Sequence, residues 1–555
     1  MAEDRSTADY IVVGGGLTGC VIASRLQQSQ HQTKEQAKVI LVEAGPDPST
    51  HPAVAGFLSG LSLQGGELDY AYQSEPVATT AGRVHTLNAG RALGGGSILN
   101  YGGWLRADAA DYDEWAQVVG DKRWGYEGLG PWMRKSEFFH GDGSGAEDSG
   151  GRGTDGPMHV TTVSGSESGE RKYPLRDAVR DAWASLGVSQ NVARNKEDGS
   201  IAGLVEMSEN SRGGQRQPSY TAYPLDGVHV LTNTLVQKVI FSGTTATGVE
   251  LADGRRLTAR KEVILCAGAY RTPQLLMLSG IGPPEAMAEH GIPVVKISPQ
   301  VGSNLHDHFA VYLAFRLRDP DLGYAMGSPA WQEIPALFKG LPWDWVVSQP
   351  LPDTILSRHE HSATGKSHAG RNLYEVLTLY VPPGIPGIPM DGTHIATSTM
   401  LLLPTSRGSV TIRSTDIQDP PLIRPNYLST PLDQATLVHA VRQTLEAVLA
   451  TEGLGPIVEG ETPPSSSSGR GLAPLTARST DGEIQDRIRS TGTQHHHSGG
   501  TAAMGAVVDA EARVIGVHGL RVADASVVPV PLGGHPQATL YAMAEQIAAM
   551  IIEAL

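Results

Sequence analysis

Two groups of residues in this 555-residue chain have the types and spacing to do chemistry. The first lies in Asp9–Leu26, DYIVVGGGLTGCVIASRL, where Gly14, Gly16 and Gly19 form G-x-G-x-x-G between an apolar run, Ile11–Val13, and a helix expected over Cys20–Leu26. In such a turn the first glycine permits the tight bend, the second lets a pyrophosphate approach the backbone, and the third lets helix and strand pack closely. The free N–H groups and positive dipole end of the helix then face the phosphates. Val39–Val42 reads as a second strand and ends at Glu43, 24 residues beyond the last glycine, where a ribose-binding carboxylate belongs. This pattern points to a dinucleotide and leaves NAD and FAD both open.

The second group is imidazole: His495, His496 and His497 in HHHSGGTAAMG, and His535 in GGHPQAT. A histidine, with a reference pKa near ~6.5, is the natural base at neutral pH. Three successive strand residues point to alternating faces, so the run cannot converge on one ion without a special turn, and no metal site is assigned.

Composition narrows the setting. A formal charge of −15 and an isoelectric point of about 5.7 argue against nucleic acid or an anionic membrane surface as partner. The two cysteines, Cys20 and Cys266, sit in apolar segments and exclude a disulfide framework or a cysteine-based metal site. No run approaches 18 uninterrupted apolar residues, so no membrane span is expected. The polar MAEDRSTA runs straight into the first strand, and Ala549–Leu555 shows no Ser-Lys-Leu address. A cytoplasmic protein is the expectation.

The elements that must position these groups come next along the chain. Asp69–Pro76 and Gly82–Leu87 read as paired short strands, followed by the glycine-rich Gly90–Arg106 with Ser97, Asn100 and Trp104. So many glycines among apolar residues suggest backbone lying against a flat or anionic ligand. Tyr112–Lys135 has helical spacing, with Trp115, Trp124 and Trp132 as packing, and His140–Pro157 reads as a polar surface loop. Tyr173–Leu186 and Thr430–Leu449 read as amphipathic helices, Val228–Leu251 as short strands, and Lys261–Ala267 as an apolar strand. A helix is expected to begin near Thr272-Pro273 and to stop at Gly280–Gly282. From about 310 to 490 prolines multiply, and Trp331, Trp343 and Trp345 cluster; they read equally as core or as a pocket wall. Strands are expected at Leu373–Val381, Ala396–Leu403 and Ser409–Ile412, and a loop at Thr462–Gly471. The final helix, Leu540–Leu555, is alanine-rich for close packing.

Five of these stretches, in order, resemble the glucose–methanol–choline (GMC) oxidoreductases, FAD-dependent enzymes acting mostly on alcohols. They are the opening glycines; Gly90–Asp113; Gly268–Gly282; Gly302-x-Asn304-Leu305-x-Asp307-His308; and Gly519–Asp524. The resemblance implies an α/β fold: a Rossmann-like FAD-binding domain from 1–155, 216–310 and 491–555, and a sheet-based substrate domain from 156–215 and 311–490 covering the flavin. It implies that Gly14, Gly16, Thr18 and Gly19 anchor the ADP end, that Glu43 with Ala44 holds the adenosine ribose, and that Val236 holds the adenine edge through its backbone. Gly95, Ser97, Asn100, Tyr101, Gly102 and Gly103 would line the isoalloxazine, and Asp524, Ala525, Pro536 and Gln537 would complete the site. His497 would be the principal base and His535 its partner, with the two roles open to exchange.

Some family members attach FAD through a histidine immediately before the Asn of the first signature. That position is Leu99 here, so a non-covalent flavin is expected. Tyr101, which resembles the stacking residue of members acting on aryl or apolar alcohols, and His496 are assigned to substrate. The expected reaction is hydride transfer from a small, non-sugar alcohol to the flavin, with O2 or another acceptor taking the electrons, in a biosynthetic pathway for small molecules. The alternative is a lyase or cyclase of the same family that uses FAD structurally.

Overall fold

The computed structural model describes residues 6–29, 37–58, 60–140, 151–165, 171–190, 199–359, 368–465 and 471–554. Parts of the loops expected at 140–157 and 462–471 lie outside them.

Two sheets organise the chain. The first runs in the order His229–Leu231, Val39–Val42, Thr7–Val13, Arg256–Leu265, Thr245–Leu251, Val236–Ser242, with Leu520–Val522 also paired to Arg256–Leu265. Its central pairings are parallel, and the hairpin Val236–Ser242/Thr245–Leu251 adds antiparallel strands at one edge. Parallel strands covered on both faces read as continuous apolar runs, and Val39–Val42 is buried throughout. Helices Leu17–Gln28 and Pro536–Glu553 pack on each other, tied by Arg25 and Glu545 at 2.6 Å.

The second sheet is antiparallel, in the order Val458–Thr462, Phe309–Leu317, His394–Leu401, Asn372–Leu379, Trp345–Pro350, Gly203–Glu206, with Thr493–Gln494 paired to Phe309–Leu317. Helix Pro431–Leu449 packs against it, capped by the Thr430 hydroxyl and started by Pro431 at its first position. Asn372–Leu379 and His394–Leu401 are buried along their whole length.

Several elements differ from expectation. Tyr112–Lys135 divides into two helices, Ala109–Val119 and Tyr126–Ser136, because Gly120 turns left-handed at φ 76° and a 3-10 turn, Lys122–Trp124, follows. Trp115 and Trp124 stack at 4.9 Å between them, buried. The helix expected from Thr272 begins at Gly268, which places Pro273 in its interior. Pro273 has no N–H for the Ala269 carbonyl, and the Thr501 hydroxyl donates to that carbonyl instead, at 2.6 Å. The tryptophan cluster splits. Trp331 and Trp345 are core, with indole N–H groups on the carbonyls of Gly323 and Arg176, whereas Trp343 borders the cavity described below.

Candidate active site

A cavity of about 780 Å³ is walled by residues of both sheets. At one end lie Gly14, Gly16 and Thr18, with Glu43, Ala44 and Val236 beside them; Gly95 and Asn100–Gly103 follow along the wall, and Asp524, Ala525, Pro536 and Gln537 face the same space. Gly19 and Ser97 stand behind the wall. A Cβ on Gly19 would lie 1.9 Å from the Gly14 carbonyl oxygen, so this glycine sets how closely the helix approaches the strand. Ser97 is fully buried; its hydroxyl donates to the Gly94 carbonyl at 2.6 Å and accepts from the Ser219 N–H at 2.9 Å, which fixes the glycine turn.

Backbone close to backbone makes the cradle. A Cβ on Gly14 would sit 2.4 Å from the Cys266 carbonyl, and one on Gly95 2.6 Å from the Gly16 Cα. Gly16 is the N-cap of Leu17–Gln28 and supplies no side-chain cap, so the first N–H groups of that helix are available to an anion. The Glu43 carboxylate accepts the Gly15 and Gly45 N–H groups, both at 2.8 Å, and burial raises its pKa. It therefore holds the turn while facing the cavity. Asp524 is held likewise: one oxygen accepts from the Gly268 N–H and the Thr272 hydroxyl, the other from the Ser526 N–H. Arg216, buried and without a carboxylate partner among the described residues, donates to the carbonyls of Val54, Ser97, Ile98 and Asn100 and so pins the loop that leads into Tyr101. The cavity shape, the glycine cradle and the uncapped helix N-terminus fit the two ends of an extended dinucleotide.

At the other end five imidazoles gather: His308, His495, His496, His497 and His535. The strand Thr493–Gln494 stops short of the histidine run, and His496 takes a left-handed φ of 62°. The rings of His495, His496 and His497 all border the cavity as a result, in place of the alternation a continued strand would give. His497 lies 5.0 Å from His495, 5.2 Å from His535 and 4.9 Å from His308, centroid to centroid. Its main-chain N–H donates to Asp307 at 2.7 Å, and Asp307 also accepts from the hydroxyls of Tyr427 and Ser498. Burial, reinforced by the neighbouring rings, holds His497 and His495 well below the ordinary histidine pKa. His497 is thus a neutral imidazole at neutral pH, able to accept a proton.

His535 is the N-cap of Pro536–Glu553, with Pro536 at the first helical position. Its Nε2 lies 2.8 Å from Oε1 of Glu375. Gln537 donates to the Gly103 carbonyl and accepts from the Asn100 amide at 3.1 Å, which joins this helix to the glycine loop.

Two residues of the site escaped sequence reasoning. Glu375 is fully buried inside the strand Asn372–Leu379. A lone acid within the apolar LYEVLTLYV was its signal, since a buried carboxylate demands a partner. His308 was visible in G-x-N-L-x-D-H, but nothing in the spacing linked it to His497. Tyr101, Tyr312, Trp343, Leu377, Leu379 and Ile385 give the cavity a large apolar stretch of wall, with Gln64, Ser398 and Gln494 as polar lining residues.

The sequence profiles of the GMC oxidoreductases match residues 8–310 and 404–544. The GMC-type oxidoreductase acuG of Aspergillus aculeatus is 37% identical, the alignment covering 98% of this chain and 99% of that protein. The patulin synthase of Aspergillus clavatus is 32% identical, over 98% and 91%. Among solved structures, a variant of Aspergillus oryzae formate oxidase superposes with a TM-score of 0.87 at 27% identity, covering 100% of this chain and 99% of that one.

Proposed function

Since the chain belongs to the FAD-dependent GMC oxidoreductase family, which acts on CH–OH donors, we propose that it oxidises a small, neutral, apolar or aromatic alcohol. The observation that carries this reading is the neutral His497 beside the His535–Glu375 pair, at the foot of an apolar wall. FAD, when bound, supplies the two-electron acceptor for the carbinol C–H. The residues that would hold it are those of the glycine cradle, with Glu43, Asn100–Gly103, Asp524 and Gln537.

The protein's own part is binding, orientation and proton removal. Tyr101, Tyr312 and Trp343 offer faces for an apolar body. His497 takes the hydroxyl proton. His535, held by Glu375, presents its other ring nitrogen, Nδ1, to the substrate oxygen. The likeness to an oxidase supports dioxygen as the final acceptor, and the likeness to patulin synthase supports a biosynthetic role. Leu99, at the position of a possible covalent attachment, has no nucleophile, which supports a non-covalent flavin.

Anaerobic titration of the FAD-loaded protein tests the reading. Benzyl-type alcohols are expected to bleach the flavin, whereas glucose and choline leave it oxidised. Faster bleaching by glucose or choline overturns the substrate class, and turnover with the flavin still oxidised would reveal a lyase or cyclase. Acid precipitation is expected to release FAD into the supernatant. His497→Ala should retain FAD and lose turnover; retained turnover would remove His497 from its role.

A further inference from the structure

We propose that His308 is a positioning residue that fixes the tautomer of His497, leaving the Nε2 lone pair of His497 for the substrate hydroxyl. The inference rests on the proposed alcohol oxidation and concerns a residue with no contact to the alcohol itself.

The argument is a chain of hydrogen bonds with one consistent direction. His308 Nε2 lies 3.0 Å from the Leu532 carbonyl oxygen, which can only accept, so the His308 proton sits on Nε2. His308 is 4% exposed and burial lowers its pKa to about 4, so it is a neutral ring with one N–H. Its Nδ1 is then an acceptor. That atom lies 2.8 Å from Nδ1 of His497, which must therefore carry a hydrogen. His497 is neutral as well, and its remaining nitrogen, Nε2, is left unprotonated; it has no hydrogen-bond partner among the described residues, and the ring borders the cavity. The groups around this relay are the Leu402 carbonyl beside His308, His495, His496, His535 and Glu375 from the neighbouring elements, and Asp307 next to His308, which accepts the His497 main-chain N–H.

The direction matters because the wrong tautomer would present an N–H to the substrate hydroxyl and could not take its proton. In the arrangement described, the O–H bond breaks, its electron pair stays on oxygen, and an N–H bond forms at Nε2. The imidazole takes the positive charge, and its Nδ1–H remains donated to His308. Nothing has to rotate.

Two substitutions separate positioning from bulk. His308→Leu removes the acceptor, whereas His308→Gln replaces both functions, its amide N–H for the Leu532 carbonyl and its amide oxygen for His497. Imidazole 15N spectra of the FAD-loaded protein, with His497 assigned by signal loss in His497→Asn, read the tautomer directly. A protonated Nδ1 and a bare Nε2 are expected in the parent and in His308→Gln, and a mixture in His308→Leu. Anaerobic flavin reduction by a benzyl-type alcohol is expected to slow about 10- to 100-fold in His308→Leu, within the range of general-base effects, and to recover most of that loss in His308→Gln at equal FAD content. A proton on Nε2 in the parent, or an unchanged His497 spectrum in His308→Leu, overturns the proposal. The expected spectra with no bleaching by any alcohol leave the relay standing and overturn the alcohol reading instead.

Discussion

Glu375 Oε1 lies 2.8 Å from His535 Nε2, so one hydrogen bond joins the antiparallel sheet to the N-cap of the last helix, at the reacting end of the cavity. The carboxyl group is fully buried, and a buried polar group that loses a hydrogen bond is destabilising.

His535→Ala is accordingly expected to lower unfolding stability by roughly 1–3 kcal/mol, because it takes that hydrogen bond from a buried polar group. The double variant His535→Ala/Glu375→Gln should recover much of the loss while remaining inactive. Denaturant melts of the four proteins measure the coupling, and strict additivity would mean that the two side chains do not act as a pair.

Buried neutral histidines give the fold an acid limb. His85, His308 and His496 are each lowered to about 4 by burial, against ~6.5 in an unfolded chain. Between those values the unfolded chain binds protons that the native protein refuses. Stability is therefore complete above about pH 6.5, falls as pH drops through the window, and stops changing on their account below about 4. Chemical-denaturation midpoints taken from pH 7.5 to 4 should trace this slope, and it should be shallower in His308→Gln. An identical slope in that variant would mean that His308 titrates normally.

The same burial bears on turnover. With His497 held well below its ordinary pKa, anaerobic flavin reduction should stay level as pH falls through 6.5, where an exposed imidazole base would already lose rate. Stopped-flow reduction rates across pH 5–8 decide this.

The glycine cradle predicts a colour. Gly95 has φ 51°, and its Cβ would meet Gly16 Cα at 2.6 Å, backbone against backbone. Gly95→Ala should purify with little or no bound flavin, while Gly460→Ala, whose Cβ meets nothing within 4 Å, should stay yellow. The 450 nm absorbance per protein reports the difference.

Pro273 and Thr501 form a compensating pair. Thr501→Val leaves the Ala269 carbonyl without its donor and should cost about 1–3 kcal/mol. In a Pro273→Ala background the restored amide reaches the same carbonyl, so the cost of losing the hydroxyl should shrink. Equal costs in both backgrounds would remove the compensation.

Local grammar made the cofactor half readable from sequence. Gly14, Gly16 and Gly19 have spacing dictated by a turn and a close approach, and in the structure Gly14 takes the positive φ of the bend while Gly19 lets the helix meet the strand. Val39–Val42 declares itself as an unbroken apolar run. What stayed hidden depends on contacts distant in sequence. Ser97 looks like a ligand residue by motif, yet packing turns its hydroxyl back onto Gly94 and Ser219. Pro273 reads as a helix start because Pro favours that place, and only Thr501, far along the chain, lets it sit inside. Glu375 and His308 become legible when the strands around them bring His535 and His497 within hydrogen-bond reach.

The pairing of Leu520–Val522 with Arg256–Leu265, and of Arg25 with Glu545, has a consequence for the order of assembly. The sheet that carries the first glycine turn gains its last central strand only after nearly the whole chain has been made, and the first helix waits for the last to cover it. Contacts this distant carry a large loop-closure cost and form late. Arg256–Leu265 therefore keeps part of its edge unpaired until Leu520–Val522 reaches it, and the two halves of this sheet close late in folding.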